Sequence, residues 1–151
     1  MKLNLTKILA GGFAGTLLMS LMMQYGAPMM VGQPMDIAAM IGNMMGGVYA
    51  IGMTMHIMLG VLVFPLLYAL VMFRFLPGPP WLKGLLYGSI LWFLAATMVM
   101  PMAGAGFFMS EIGGIKAAMA ALMGHWVYGG LLGAIVGKEA CSHCSTEQHS
   151  H

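Results

Sequence analysis

The chain has 151 residues, of which 60% are apolar and 7% are charged, and its formal net charge is +2. Soluble domains carry about 25% charged residues, so this composition excludes an ordinary water-soluble domain. The small net charge and the lack of a basic cluster argue against a nucleic-acid partner. The chain is predicted to be an integral membrane protein whose apolar surface contacts the lipid bilayer.

A membrane-spanning helix needs about 20 mostly apolar residues, and four stretches separated by breaks rich in proline and glycine meet this requirement. They predict an all-α bundle of four transmembrane helices within residues 1–138, followed by a tail at 139–151. The first span could also be a signal peptide, but its length and the lack of a clear cleavage site favour an uncleaved helix. The predicted spans are residues 8–27, 48–73, 82–102 and 115–137.

Lysine and arginine predict the orientation, because they are enriched in cytoplasmic loops. Five of the six lie on the side of both termini, and Lys116 lies on the other side. We therefore expect a multi-pass protein of the bacterial inner (plasma) membrane with its N- and C-termini in the cytoplasm. In the first outer loop, "QPMDIAAMIGNMMGG" predicts a short helix at the membrane interface.

The two halves of the chain show a weak internal repeat. A lysine precedes a glycine by five residues at Lys7–Gly12 and again at Lys83–Gly88. The second helix of each half carries His-x-x-x-Gly, at His56–Gly60 and His125–Gly129. Both halves begin on the same side, so they predict two parallel two-helix repeats about an axis along the membrane normal. That axis would relate the two histidines across the bundle.

Small residues recur every four positions beside both histidines, and such stripes mark close helix contacts in lipid. His56 and His125 are therefore predicted to face the bundle interior. An intramembrane histidine is a functional hypothesis by default. The same ring can also serve only as a hydrogen-bonded helix contact, worth about 0.6 kcal/mol on average. The glycines predicted to pack against neighbouring helices are Gly52, Gly60, Gly129, Gly133 and Gly137.

Two chemistries could use the histidine pair. One is a b-type haem with His56 and His125 as axial ligands, because helix bundles build cofactor sites from facing helices. The glycines beside the histidines could leave room for the edge of a haem macrocycle. Alternatively, they could let the helix backbones touch, which would leave no room for a haem. The other chemistry is a transition metal, for which the methionines matter.

The chain contains 20 methionines, and the predicted topology places nearly all of them in the outer half. Methionine is an adaptable apolar filler, which accounts for its presence but not for its position. Thioethers select Cu(I), and they suit an oxidising compartment where thiolates form disulfides. The methionines around the second outer loop are Met98, Met100, Met102 and Met109. The candidate soft-metal ligands are Met40, Met44, Met53, Met55, Met58, Met119 and Met123.

The tail "CSHCSTEQHSH" adds a second set of donor groups. In the reducing cytoplasm its thiolates would survive, and C-x-x-C with histidines binds Cu(I) or Zn(II). The alternative is an unstructured polar tail with incidental ligands. Together with the outer methionines, the tail suggests a path or reservoir for copper. The tail candidates are Cys141, His143, Cys144, His149 and His151.

The last span contains "GHWVYGGLLG" at residues 124–133. This segment resembles the signature GHxxYGxxLG of small, uncharacterised four-helix inner-membrane proteins of bacteria, a resemblance that implies no settled activity. A looser resemblance is to eukaryotic-type copper transporters, which combine an outer methionine-rich region, M-x-x-x-M, G-x-x-x-G and a Cys/His tail. Those transporters have three spans instead of four, so the resemblance concerns the ligands.

The chain is not predicted to be an enzyme. Its acidic residues lie outside the predicted spans, no serine has the partners of a catalytic triad, and no phosphate-binding loop is present. We expect a non-enzymatic membrane protein that binds or transfers Cu(I), alone, as a homo-oligomer or as an accessory subunit of a larger membrane complex. A two-histidine b-haem electron carrier and a purely structural subunit are the alternatives.

Overall fold

The computed structural model describes residues 4–147, and it describes side chains for residues 4–137. Within this part of the chain, four helices are long and apolar enough to cross a membrane. The prediction of an all-α, four-helix membrane fold is therefore confirmed. The helices are Leu5–Val31 (α1), the short Ile37–Met44 (α2), Tyr49–Phe75 (α3), Pro80–Met102 (α4) and Gly114–Glu147 (α5).

The tail prediction falls largely outside these limits. His149 and His151 lie outside the described residues, and Cys141, His143 and Cys144 lie outside the described side chains. The backbone of α5 continues as helix through Glu147.

Three prolines lie within the long helices instead of ending them. Proline lacks an N–H and its ring collides with the carbonyl one turn earlier. At Pro28, Pro65 and Pro101 that carbonyl lies in a wider π-helical turn, which accommodates the ring and lets the helix continue. This is why α1 extends to Val31 although its predicted end was at residue 27. The π turns are Met22–Gly26, Met58–Val63 and Ala95–Val99.

The four long helices form a ring in the order α1, α3, α4, α5, in which tyrosine contacts join α3 to α4. On α1, Gly12 lies so close to α3 that an added Cβ would meet the Gly60 carbonyl oxygen at 2.9 Å. Tyr87 of α4 donates its hydroxyl to the Phe64 carbonyl of α3 at 2.9 Å. Such internal hydrogen bonds matter in lipid, where no water competes.

The seam between α4 and α5 is built from glycine backbone. An added Cβ at Gly84 would collide with the Gly129 carbonyl oxygen, and one at Gly129 would collide with the Gly84 carbonyl oxygen. Towards the C-terminal end of the seam, Gly133 and Gly137 lie against Pro80 at the start of α4. Small residues thus allow two helix backbones to touch, as they do elsewhere in membrane proteins.

The predicted short helix is found as α2, and it packs on the start of α3. Asp36 caps its first turn, accepting a hydrogen bond from the Ala39 N–H at 2.9 Å. An added Cβ at Gly52 would collide with the Ala38 carbonyl oxygen, so Gly52 contacts α2 and not another long helix. The Gln33 side chain donates to the Ile112 carbonyl at 3.5 Å. Therefore α2 and residues 103–113 lie at one end of the bundle, here called the loop end.

The ring order is the one that the proposed repeat requires, with α1 equivalent to α4 and α3 to α5. The glycine contacts of the two halves are displaced by one helical turn. Gly12 faces the carbonyl of Gly60, whereas its counterpart Gly88 faces the carbonyl of His125. Four residues of helix correspond to about 6 Å. When the two halves are superposed by the repeat, His56 and His125 therefore differ in depth by about this distance.

Candidate functional site

A cavity of about 240 Å³ lies inside the bundle, and both intramembrane histidines line it. His56 comes from α3 and His125 from α5, and Ile37 and Ile41 of α2 cover the cavity at the loop end. Most of the lining is apolar, with a few polar groups among it. Such a mostly apolar cavity with a small number of polar groups is the usual form of a ligand site.

His56 is oriented by a hydroxyl of α1. Its Nε2 lies 3.1 Å from Ser20 Oγ, and the Ser20 hydroxyl donates its one proton to the Thr16 carbonyl at 2.8 Å. Ser20 Oγ therefore accepts from Nε2–H of His56. In the neutral ring this leaves the lone pair on Nδ1.

His125 is oriented by the backbone of its own helix. Its Nδ1 lies 2.8 Å from the Ala121 carbonyl oxygen, which can only accept a hydrogen bond. Nδ1 must carry the proton, and the lone pair of the neutral ring lies on Nε2. In metal sites a histidine ligand usually donates its other N–H to a carbonyl or similar group, which fixes the ring. Both histidines have this arrangement.

Four methionines line the cavity with the histidines: Met19, Met23, Met100 and Met109. Met19 and Met23 lie one turn apart on α1 and face Gly124 of α5, where an added Cβ would meet the Met23 methyl carbon at 3.1 Å. This pair has the same M-x-x-x-M spacing as two pairs among the predicted ligands, Met40 with Met44 and Met119 with Met123. The sequence therefore contains a signal for Met19 and Met23 that the prediction missed.

The seven methionines proposed as ligands lie elsewhere, since none is among the described lining residues of the cavity. Met119 and Met123 are 41% and 44% exposed on α5. At 100° per residue they lie on the helix face turned away from the His125 side. Met58 is likewise exposed, and the other four, Met40, Met44, Met53 and Met55, are half-buried near α2 and the start of α3.

Thr16 contributes an unpaired hydroxyl to the cavity. The residue is 6% exposed, and among the described residues its Oγ1 is the buried side-chain polar atom without a hydrogen-bond partner. It lies against Gly60, where an added Cβ would collide with Oγ1. An unpaired buried hydroxyl costs about 1–3 kcal/mol.

Thr16→Val, which replaces the hydroxyl with a methyl group of similar size, is expected to raise the stability of the metal-free protein. The expected gain in the free energy of unfolding is up to about 1–3 kcal/mol. Thermal unfolding in detergent would measure it. Thr54→Val is the matched control, because the Thr54 hydroxyl is paired with the Ala50 carbonyl at 2.8 Å. A destabilised Thr16→Val protein with an unchanged control would contradict the unpaired hydroxyl.

A strained turn brings Met109 to the cavity. Phe108 (φ 49°) and Met109 (φ 62°) both adopt left-handed backbone conformations, although neither is glycine. Each such residue costs about 1–2 kcal/mol. Met109 is nevertheless only 1% exposed. A methionine at this position shows no periodicity in the sequence that would have identified it.

The donor groups of the cavity are mainly nitrogen and sulfur. Within the described part of the chain, no group of three or more His, Cys, Asp and Glu side chains could hold a metal ion. A metal ion in this cavity would therefore depend on two imidazoles and on thioethers, a set that suits a soft cation.

The comparisons with known proteins give one result. The model of a family of unknown function, DUF6789, matches residues 4–144. Neither the curated proteins nor the solved structures that were compared give a match.

Proposed function

The chain belongs to the DUF6789 family of unknown function, and for this member we propose a non-enzymatic role in handling a soft metal ion, Cu(I), inside the membrane. The proposed site is the bundle cavity. The observation that carries the proposal is that His56 and His125 line the same cavity while each ring is already held through its other nitrogen.

Two features of the donor groups support a metal. A neutral histidine that serves only as helix glue also keeps a lone pair on its second nitrogen, but it has no reason to share a cavity with another such ring. Here both rings border one space. Neutral imidazole is the form that binds metals.

The methionines support Cu(I) over harder cations. Met19, Met23, Met100 and Met109 border the same cavity as the histidines. Thioethers are uncharged and polarisable, so they stabilise Cu(I) without adding charge to an apolar interior. We further propose the bacterial inner membrane as the location, with the loop end on the oxidising side and both termini in the cytoplasm. The tail cysteines and histidines would then offer a second site on the reducing side.

A haem held by the same two histidines is the second candidate, because a pair of imidazoles bordering one cavity is also what a six-coordinate haem requires. The size of the cavity argues against a haem. An empty cavity of about 150 Å³ takes one benzene, and the cavity here is about 240 Å³. A macrocycle of four linked pyrroles would need a wider bundle.

The test is a Cu(I) titration of the purified protein, without a His tag, against a chromophoric chelator. A variant with Cys141→Ser, Cys144→Ser, His143→Ala, His149→Ala and His151→Ala, here called the tail-donor variant, removes all the tail candidates, so that any remaining binding belongs to the membrane domain. We expect about one tightly bound Cu(I) per chain, tighter than Zn(II), in this variant. An absorption spectrum of the reduced protein as isolated tests the haem candidate by its Soret and α bands.

Each outcome points to one function. Tight Cu(I) binding that survives in the tail-donor variant supports the proposal. Binding that disappears in that variant contradicts it and leaves the tail as the metal site. Haem bands that vanish in His56→Ala and in His125→Ala would replace copper with haem, and the absence of both signals would favour a structural subunit.

A further inference from the structure

We propose that Met109 is a thioether ligand that gives the cavity its preference for a soft monovalent cation, Cu(I) or Ag(I), over Zn(II), and that the turn at Phe108 positions it. This inference rests on the proposed metal function, and it adds the residue that determines which metal is chosen. Two imidazoles alone suit Zn, Cu and Ni, so the thioethers must provide the selectivity.

The first support is the backbone of Met109. Two consecutive non-glycine residues in the left-handed region, Phe108 and Met109, are rare, and such strain persists only where the surroundings over-determine it. The turn is closed on both sides by hydrogen bonds. Met109 N–H donates to the Gly106 carbonyl at 3.2 Å, and Ile112 N–H donates to the Met109 carbonyl at 3.1 Å. Met109 is thereby fixed at the cavity with 1% exposure.

The second support is the anchor that holds the turn. The Phe108 ring packs against Trp92 and Phe93, with centroid distances of 5.7 and 6.2 Å. Trp92 in turn donates its indole N–H to the Ala118 carbonyl at 2.9 Å, which links α4 to α5. The strained turn is therefore tied to the two helices that share the glycine seam.

The third support is independent of the turn. The Thr16 hydroxyl borders the same cavity, and it is buried without a partner among the described residues. The cavity thus contains a buried hydroxyl, that of Thr16, for which no described protein group supplies a hydrogen bond. Ordinary core packing would place an apolar side chain at position 16, and at position 109 it would not need a backbone in the left-handed region.

The test compares Met109→Leu with Met102→Leu in the background of the tail-donor variant, which lacks the cysteines and histidines of the tail. Leucine keeps the volume and removes the sulfur, and Met102 is a matched control from the same region because it is 72% exposed. Ag(I) serves as a redox-stable probe for Cu(I), and Zn(II) is the competitor. We expect Met109→Leu to lose about tenfold or more in Ag(I) affinity with no change in Zn(II) affinity. Met102→Leu is expected to match the parent.

A spectroscopic readout separates ligation from packing. With carbon-13 methionine methyl groups, Ag(I) is expected to shift the resonance that Met109→Leu removes, and to leave the Met102 resonance in place. Phe108→Gly keeps the thioether, accepts the left-handed backbone and removes the ring anchor. It is expected to lower the ratio of Ag(I) to Zn(II) affinity while the Met109 methyl still shifts.

The results also separate this inference from the proposed function. If the parent binds Cu(I) and Ag(I) but Met109→Leu binds them equally well, or the Met109 methyl does not shift, only the role of Met109 is wrong. If the parent binds neither ion in the membrane domain, the proposed function fails as well.

Discussion

Replacing His56 or His125 with alanine is expected to remove tight Cu(I) binding from the membrane domain. Loss of an outer-shell partner already costs roughly 10- to 100-fold in metal affinity, and loss of one of the two imidazole ligands should exceed that range. The two changes should be strongly non-additive, because one remaining imidazole cannot hold the ion alone. A chelator competition in the background of the tail-donor variant measures each affinity.

A graded series makes this prediction sharper. Ser20→Ala removes only the hydroxyl that orients His56, so its expected loss is roughly 10- to 100-fold. Ser89→Ala is the matched control, because the Ser89 hydroxyl likewise donates to a carbonyl, that of Leu85 at 2.9 Å, and accepts a ring N–H, that of Trp126 at 2.9 Å, but does not border the cavity. Unchanged Cu(I) binding in either histidine variant would move the site away from the cavity.

The second large effect concerns stability. Gly129→Ala is expected to destabilise the bundle by about 1–3 kcal/mol or more, because its Cβ would collide with the Gly84 carbonyl oxygen. A backbone atom cannot rotate away as a side chain can, so the two helices must separate. The free energy of unfolding in a detergent titration measures the change.

The adjacent glycine provides the control. At Gly130 an added Cβ would meet only the Leu85 methyl carbon at 3.6 Å, which is ordinary contact. Gly130→Ala is therefore expected to be neutral, or slightly stabilising because alanine favours helix. Equal stability of the two variants would mean that α4 and α5 do not touch through their backbones.

The fold could be predicted well because bilayer thickness fixes the length of a span. The predicted and observed spans agree within a few residues at most ends. The main difference is at Pro28, which was expected to lie beyond the helix end. A π turn absorbs the proline, and no simple sequence signal distinguishes a proline that ends a helix from one that a wider turn accommodates.

The candidate site could be predicted only in part. That His56 and His125 face the bundle interior could be predicted from the glycines beside them, because helix periodicity shows which residues share a face. The methionine ligands were predicted from their density in the outer half and from M-x-x-x-M spacing, which places two sulfurs on one helix face but does not show whether that face turns inward. Met119 and Met123 therefore lie outside, whereas Met19 and Met23 line the cavity. The position of Met109 at the cavity depends on a turn with two residues in the left-handed region, and periodicity in the sequence cannot predict such a turn.

The glycine seam has a consequence for how the family can evolve. Contacts at Gly84, Gly129 and Gly133 are made by backbone atoms, so these positions tolerate almost no other amino acid. The cavity is bordered by side chains of all four long helices and of the loop end, and those can change without moving the seam. We therefore expect family members to keep one bundle while the groups at positions 56, 109 and 125 differ. A member with other residues there would keep the architecture and lack the donor groups of the proposed metal site.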